Sequence, residues 1–358
     1  MAPTPTAEHQ LSAAKRIVQD LFKPNPLIYW SDFLFNDLLG WAAFILAVRL
    51  PNFSAAQILS FLVAGFTLYR AVLFVHELSH FRRGTFITFR WFWNILCGFP
   101  LTLPSFIYVG VHNDHHKQKI YGTRYDPEYF PFALAKPYRI LMFPLTMLVA
   151  PSAFLLRFLV LAPLSWIFWP SRETLWVLGS SLAVGGSYRR PLPDRRDKWM
   201  AGLEEFLTFA YLATALYLMV RGILPWKLLA LWYLLAVFIL VSNALRSLVA
   251  HCDRNPPDHV MTVEEQILDS TDIPGNPLLT PLWAPVGLRY HATHHLFIGM
   301  PYHNLGEAHR RLMKELPENS FYRKTLRKGM WSVLVNLWKE ASRNRGAGLS
   351  EQVKTPLL

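Results

Sequence analysis

Three short stretches of this 358-residue chain concentrate imidazoles at spacings that suit a metal ion: His76 and His80 in HELSH, His112, His115 and His116 in HNDHH, and His291, His294 and His295 in HATHH. On a helix, residues three and four apart share a face, so each stretch aims two or three imidazoles in one direction. With 13 histidines in the chain, one H-x-x-H-H arises by chance at roughly the 1% level, and two are far rarer. Neutral imidazole binds Zn, Cu, Fe or Ni, so the spacing predicts a metal site without naming its metal. HELSH alone also fits the H-E-x-x-H of zinc proteases, with Glu77 as general base. That reading needs a third ligand and a water position, and it leaves both H-x-x-H-H stretches without a role.

The elements that must position these residues are apolar. Hydrophobic residues make up 52% of the chain, aromatics 15% and charged residues 17%, with a mean hydropathy of +0.20, too apolar for an ordinary soluble domain. Runs from Phe33 to Leu50, Ile58 to Val75, Phe206 to Val220 and Leu228 to Leu245 each approach the roughly 20 residues that cross a hydrocarbon core. They predict an all-α integral membrane protein with four transmembrane helices in two hairpins. No short apolar segment with a cleavage site precedes the first run, so a cleaved signal peptide is not expected.

Lys15, Arg16 and Lys23 precede the first run, Arg82, Arg83 and Arg90 follow the second, and Arg246 and Arg254 follow the fourth. Positive-inside reasoning then puts both termini and all three histidine stretches on the cytoplasmic side, of a bacterial inner membrane or the endoplasmic reticulum. Arg49, Arg221 and Lys227 fall on the other side, so the rule holds by majority. Pro137 to Trp169 is also apolar, but stretches that share one metal centre need an even number of crossings between them, and the second hairpin supplies two. Pro144, Pro151, Pro163 and Arg157 interrupt this segment, so interfacial or re-entrant helices are expected over about 137–184, joined by the short run Leu175 to Val184.

The formal charge of +12 follows mainly from basic cytoplasmic loops facing anionic lipid. A sharper reading docks an acidic electron carrier on Arg310, Arg311, Lys314, Lys324, Arg327 and Lys328. No nucleic-acid reading motif accompanies these cations. Cys97 and Cys252 form neither a C-x-x-C motif nor a disulfide framework, and Cys252 reads as an unreactive small residue near the site.

HELSH, HNDHH and HATHH, in that order, with a two-hairpin membrane segment between the second and third, resemble the three histidine boxes of the integral-membrane fatty-acid desaturase and hydroxylase superfamily. The resemblance runs from about Leu27 to Leu312 and includes HHLFIGMPYHNLGEAHRRL after the third box. It implies a cytoplasmic helical cap holding two non-haem irons on nine imidazoles: the eight of the boxes and an isolated histidine after the fourth span, matched here by His251. In some members an asparagine one turn before that histidine holds a metal-bound water; Ser247 stands there in this chain, and Asn243 lies a further turn away. Carboxylates that accept N–H bonds from ligand imidazoles are expected nearby, with Glu77, Asp114, Asp253 and Asp272 the nearest in sequence. His9 reads as a surface residue, and His259, His303 and His309 as structural or supporting ones.

The resemblance implies O2-dependent oxidation of a fatty acyl chain, whether free, CoA-linked, carrier-linked or lipid-linked. Desaturation ranks first, with decarboxylation to a terminal alkene and hydroxylation as alternatives. A silent metal-binding membrane scaffold is the non-enzyme alternative, disfavoured because eight box histidines exceed what structural metal sites use. Trp91, Phe92, Trp93, Phe106, Tyr129, Phe130 and Phe297 flank the boxes and are candidates to line an acyl tunnel, though aromatics also populate membrane interfaces. Arg82, Arg124 and Arg289 are candidates for a head-group carboxylate or phosphate. No flavin, nicotinamide, rubredoxin-like or cytochrome b5-like motif is present, so electrons are expected from a separate ferredoxin, rubredoxin or cytochrome. The expected organisation is an N-terminal cytoplasmic segment, 1–26, a desaturase-like domain, 27–340, and a frayed tail, 341–358.

Overall fold

The computed structural model describes residues 7–344. In chain order its α-helices are α1 (Ala7–Ile17), α2 (Pro26–Arg49), α3 (Ala55–Val72), α4 (Phe74–His80), α5 (Ile87–Trp93), α6 (Val111–His115), α7 (Tyr138–Thr146), α8 (Ala150–Leu156), α9 (Ala162–Ile167), α10 (Pro170–Gly179), α11 (Arg195–Val220), α12 (Trp226–Ser247), α13 (Val263–Asp269), α14 (Thr280–Trp283), α15 (His291–Leu296), α16 (Tyr302–Glu315) and α17 (Met330–Arg343). Among the described residues no strand forms, only isolated bridges that pair His251 with Ser270, and Asp272 with Tyr290 and Leu326. Of the expected frayed tail, Ala341 to Arg343 complete α17, with Ala341 buried; residues 345–358, like 1–6, lie outside the described residues. Contacts divide the rest into a first unit, 7–28, 114–142 and 245–344, and a second, 29–113 and 143–244.

The second unit carries the long apolar helices. Among the described residues five stretches are long and apolar enough to cross a membrane: α2, α3 continued through α4, 150–167, α11 and α12. Four of them match the expected runs, α2 ending one residue short of Leu50, and local caps extend their starts. The Ser54 hydroxyl accepts from Gln57 N–H at 3.2 Å to start α3, and Asp194 accepts from Asp197 N–H at 2.9 Å to start α11, eleven residues before the apolar run begins.

The fifth stretch departs from the proline-broken segment expected there, because α8 and α9 are joined by a π turn over Arg157–Leu161 into one helical run. Pro151 occupies the first turn, where no N–H is needed. Pro163 follows the π turn, whose wider ring relieves the clash a proline makes with the preceding turn. Arg157 is not stranded in this apolar setting: it donates to Glu205 at 2.6 Å, Ser180 Oγ at 2.9 Å and the Gly179 carbonyl at 2.7 Å. The neighbouring Glu204 accepts from Arg90 at 2.7 Å, Ser105 Oγ at 2.9 Å and Phe106 N–H at 2.8 Å. Pairing of this kind offsets the cost of burying Glu204 and Glu205 in an apolar unit.

The first unit is built on shorter helices and loops. α13 opens on a capping box, with Thr262 and Glu265 each satisfying the other's backbone N–H. Buried Asp272 is a hub: it accepts from Thr293 N–H at 3.1 Å, Thr293 Oγ1 at 2.6 Å and Tyr322 OH at 2.9 Å, and lies 3.0 Å from His309 Nδ1. The N-terminal residues belong to the same unit, since Gln10 Oε1 accepts from Phe321 N–H at 3.1 Å and Arg311 donates to Asp20 at 2.7 Å.

Candidate metal centre

In the second unit, α4 prolongs α3 by two turns and carries His76 and His80 on one face, ring centroids 4.9 Å apart. The helix stops at Phe81, whose extended backbone turns into an aromatic cluster of Tyr29, Phe33, Phe74, Phe86 and Phe89. Tyr29 OH donates to Glu77 Oε2 at 2.5 Å, and Glu77 Oε1 lies 3.5 Å from His76 Nδ1. On α6, His112 brings Nε2 to 3.1 Å from His80 Nε2, while its Nδ1 meets Tyr108 OH at 3.0 Å under a stacked phenol ring. The turn before α6 is fixed by Arg190, which donates to the Val109 carbonyl at 3.1 Å and to the Ser180 carbonyl, with its guanidinium 4.2 Å from the Trp176 ring centroid. Gly110 supplies the left-handed conformation, φ +90°, that this turn needs.

In the first unit, His115, His251, His291 and His295 each offer one ligand nitrogen, all within 4.8 Å of one another. His291 Nε2 stands 3.0 Å from His251 Nε2 and 3.1 Å from His295 Nε2. His116 and His294 form a second contact in the same unit, Nε2 to Nε2 at 3.1 Å. α15 supplies His291, His294 and His295; its N-terminal turn is held by Asp272 through Thr293. His251 is held by its bridge to Ser270, with Thr271 N–H on the Ala250 carbonyl at 2.9 Å and Cys252 N–H on the Asp269 carbonyl at 2.6 Å.

Behind these nitrogens lies a shell of buried carboxylates and phenols. Asp126, fully buried, takes His115 Nδ1 on both oxygens at 2.8 and 2.9 Å and also accepts from Gly122 N–H at 2.7 Å and Glu128 N–H at 2.9 Å. Tyr121 OH stands 2.8 Å from His251 Nδ1 and donates to Asp269 at 3.2 Å; Tyr129 OH donates to the other Asp269 oxygen at 3.2 Å. Burial pushes the Asp269 carboxyl up to about 6, against the two tyrosine hydroxyls that hold it down. Burial, then the neighbouring His115 and Arg246, pull His251 well below the usual imidazole range, so it is neutral, as a ligand must be. At His115 burial acts downward, but Asp126, Glu128 and Asp269 outweigh it and leave the ring raised.

The donor set fits a metal. Nδ1 of His115 and of His251 are both engaged by oxygen, which leaves Nε2 as the inward atom. Lone pairs converging at 3.0 Å repel unless a cation lies among them, and about 3.0 Å is the spacing of neighbouring ligands at right angles on bonds of roughly 2.1 Å.

Of the four carboxylates singled out by proximity in sequence, Glu77 reaches His76, while Asp272 acts on Thr293 and His309. Asp114 pairs with Lys117 at 2.5 Å, and Asp253 is buried at a left-handed φ of +55°. Asp126, Asp269 and Tyr121 lie outside that selection. Their only sequence signal is the turn chemistry of Tyr121-Gly122 and Asp126-Pro127, with Gly122 at φ +70°. Among the aromatic candidates, Tyr129 lies beside His251, Phe106 stacks on Trp176, Phe297 packs on Phe22, and Trp93 is committed to the Ala71 carbonyl. Arg124 pairs with Asp258, and Arg289 packs over Tyr290. Of the proposed docking cations, Arg310 and Arg311 pair with Glu307. His259 pairs with Glu265 and His303 with Asn304, while His9 is exposed. Cys252 accepts from Arg327 at 3.3 Å, and burial pushes its thiol up, away from reactivity.

Buried histidine clusters on an all-helical framework rich in membrane-length apolar helices define the class of histidine-ligated membrane oxidases. The sequence matches the fatty acid desaturase family across residues 52–326, and the chain belongs to that family; it is a membrane-bound diiron oxidoreductase. It is 36% identical over 345 residues, covering 95% of this chain and 96% of the relative, to a ceramide hydroxylase of Caulobacter vibrioides (strain NA1000 / CB15N). No solved structure matches the chain.

Proposed function

We propose that the chain hydroxylates a long hydrocarbon chain of a ceramide-class lipid. The observation that carries this reading is its 36% identity to a ceramide hydroxylase along 95% of its length. Desaturation, which ranks first on the histidine boxes alone, stays as the second reading because the family is described by it. The two differ in oxygen balance: hydroxylation puts one atom of O2 into the lipid and reduces the other to water with two electrons, whereas desaturation reduces both atoms to water and removes two hydrogens from the lipid.

Two irons are assigned to these nine imidazoles, His115, His116, His251, His291, His294 and His295 in the first unit and His76, His80 and His112 in the second. The convergent Nε2 contacts within each unit support their use as ligands. When bound, the two irons supply O2 activation for attack on an unactivated C–H bond. The protein's own part is to hold tautomers and exclude water. Asp126 keeps the proton of His115 on Nδ1, Tyr121 and Asp269 do so for His251, and Tyr108 serves His112. The burial of most of these rings keeps bulk water from the oxidant.

Residues 27–340 work as one catalytic domain, with α2 and α3 as the first membrane hairpin and α11 and α12 as the second. Both termini are cytoplasmic, and 150–167 lies within the membrane without changing sides. The last assignment rests on parity, since the second and third histidine boxes must reach the same pair of irons. Electrons come from a separate ferredoxin, rubredoxin or cytochrome.

The test is turnover of the membrane-reconstituted enzyme with a ceramide, a reductase-coupled donor and isotopically labelled O2. A product carrying one labelled oxygen supports hydroxylation; an unlabelled product lacking two hydrogens overturns it in favour of desaturation.

A further inference from the structure

Among the described residues, the first unit carries an exposed apolar face. On α17, Val333, Leu337 and Ala341 are buried, whereas Trp331, Val335 and Trp338, spaced i, i+4 and i+7, form an exposed stripe, Trp331 to 72%. A second exposed set lies on α14 and the segment leading into it, where Leu278, Leu279 and Leu282 are exposed to 81%, 63% and 44%. This segment is held in shape. Asn276 Oδ1 accepts from Leu278 N–H at 2.8 Å and Leu279 N–H at 3.0 Å, and the Asn276 carbonyl accepts from Thr280 N–H at 3.0 Å. Gly275 precedes it in the left-handed region, φ +51°, with Thr280 Oγ1 where a side chain would stand. Trp283, Met330 and Leu334 pack on one cluster with Val249, Ile273 and Val333, so both exposed sets border the same packed core.

Six large apolar side chains, fixed on two rigid elements joined by one cluster, exceed the scattered exposure ordinary in water. The cations around them identify the occupant. Lys324 and Lys328 precede α17, and Lys339 and Arg343 lie on it, all exposed; the acidic Glu340 is neutralised by Arg254 at 2.6 Å. Tryptophan at the edge of an apolar stripe, flanked by lysine and arginine, matches the boundary between acyl chains and anionic headgroups.

We propose that this face docks on the membrane surface. α17 lies in the plane of the interface with Trp331, Val335 and Trp338 toward the acyl chains. The Leu278–Leu282 tip dips in beside it, and Lys324, Lys328, Lys339 and Arg343 meet anionic headgroups. A helix of 14 residues lays about 21 Å of apolar stripe along the surface. An acidic electron carrier would use the same cations but leaves the projecting leucine tip without a role.

The test uses the full-length protein in nanodiscs of phosphatidylcholine and phosphatidylglycerol, with nitroxides at Val335→Cys, Leu279→Cys and, as an aqueous control, Glu318→Cys. Labels at 335 and 279 should collide with a water-soluble nickel chelate at least about fivefold less than the control, and more with O2, as an inserted apolar face requires. All three sites are exposed, so the labels leave the packed core intact, and nitroxide-treated wild-type protein corrects for Cys97 and Cys252. Nickel access equal to the control at both sites overturns the proposal, as does access lost only when an acidic redox protein is added. Membrane insertion at 335 and 279 is independent of which lipid product the enzyme makes.

Discussion

Tyr121→Phe isolates the contribution of a single hydroxyl to the metal centre. The phenol oxygen is 2.8 Å from His251 Nδ1, 3.2 Å from Asp269 and 3.2 Å from Ser270 Oγ, and the side chain is fully buried. Because Tyr121 donates to the Asp269 carboxylate, its oxygen accepts the Nδ1–H of His251 and keeps Nε2 free for metal. Removing the oxygen leaves that Nδ1–H, buried with His251, only the longer 3.7 Å contact to Asp269, at a cost of about 1–3 kcal/mol. Asp269 still accepts from Tyr129 at 3.2 Å, so the carboxylate itself does not lose all support. Loss of a group that orients a ligand imidazole weakens metal binding about 10- to 100-fold, which is roughly 1.4–2.7 kcal/mol.

The assay is iron retention against a chelator series, read by elemental analysis, with Mössbauer spectra to separate the two ions. Tyr121→Phe should release one iron at lower chelator concentration and change one spectral component. Tyr129→Phe, which removes a hydroxyl from the same carboxylate but none from His251, should shift retention much less. Wild-type retention in Tyr121→Phe, or equal release of both irons, would refute the assignment of Tyr121 as the group that orients His251.

Further outcomes follow from other positions. His295→Ala should abolish lipid oxidation and lower iron by about half per chain, measured by elemental analysis; full occupancy would remove His295 from the ligand set. Asp37→Leu replaces a buried α2 carboxyl whose two oxygens have no hydrogen-bond partner. Its melting temperature in detergent should be unchanged or raised, since an apolar group of similar size relieves an unsatisfied one, and a clear drop would contradict this. Gly122→Ala places a side chain at φ +70°, 2.7 Å from Met261 Cε, at a cost of about 1–2 kcal/mol. The melting temperature should fall by a few degrees, with His115 loosened through the Gly122–Asp126 bond.

The histidines were legible because helical spacing and repetition are properties of sequence, and the helices that match the four apolar runs were legible for the same reason. Their starts were not. α2 begins at Pro26 and α11 at Arg195, because caps and a first-turn proline extend a helix beyond its apolar stretch. The helical run through Pro151 and Pro163 was hidden as well: a π turn is a backbone adjustment that no residue type announces. Asp126 and Asp269 were missed for a different reason. Neither is nearest in sequence to the ring it serves; Asp126 lies eleven residues from His115, and Asp269 stands 3.7 Å from His251 Nδ1 and is linked to it through Tyr121. Such partners are chosen by the fold of a loop, and a loop's path is the least predictable part of a chain.

The shortness of the histidine helices makes those partners indispensable. α4 has 7 residues, α6 has 5 and α15 has 6, all below the length at which a helix is stable alone. Each is therefore fixed from outside its own sequence. Tyr29 holds Glu77 on α4, Arg190 holds the turn before α6, and Asp272 holds Thr293 on α15. These anchors are buried and are charged or paired with charge, an expensive arrangement that is tolerated only when every partner is present. Geometry at these imidazoles thus depends on residues outside the three histidine stretches. A substitution at Asp272 should loosen His291, His294 and His295 together through Thr293, whereas one at a single ligand disturbs one ion. Loss of both irons from Asp272→Ala with the helical content retained would distinguish this shared anchoring from three independent histidine positions.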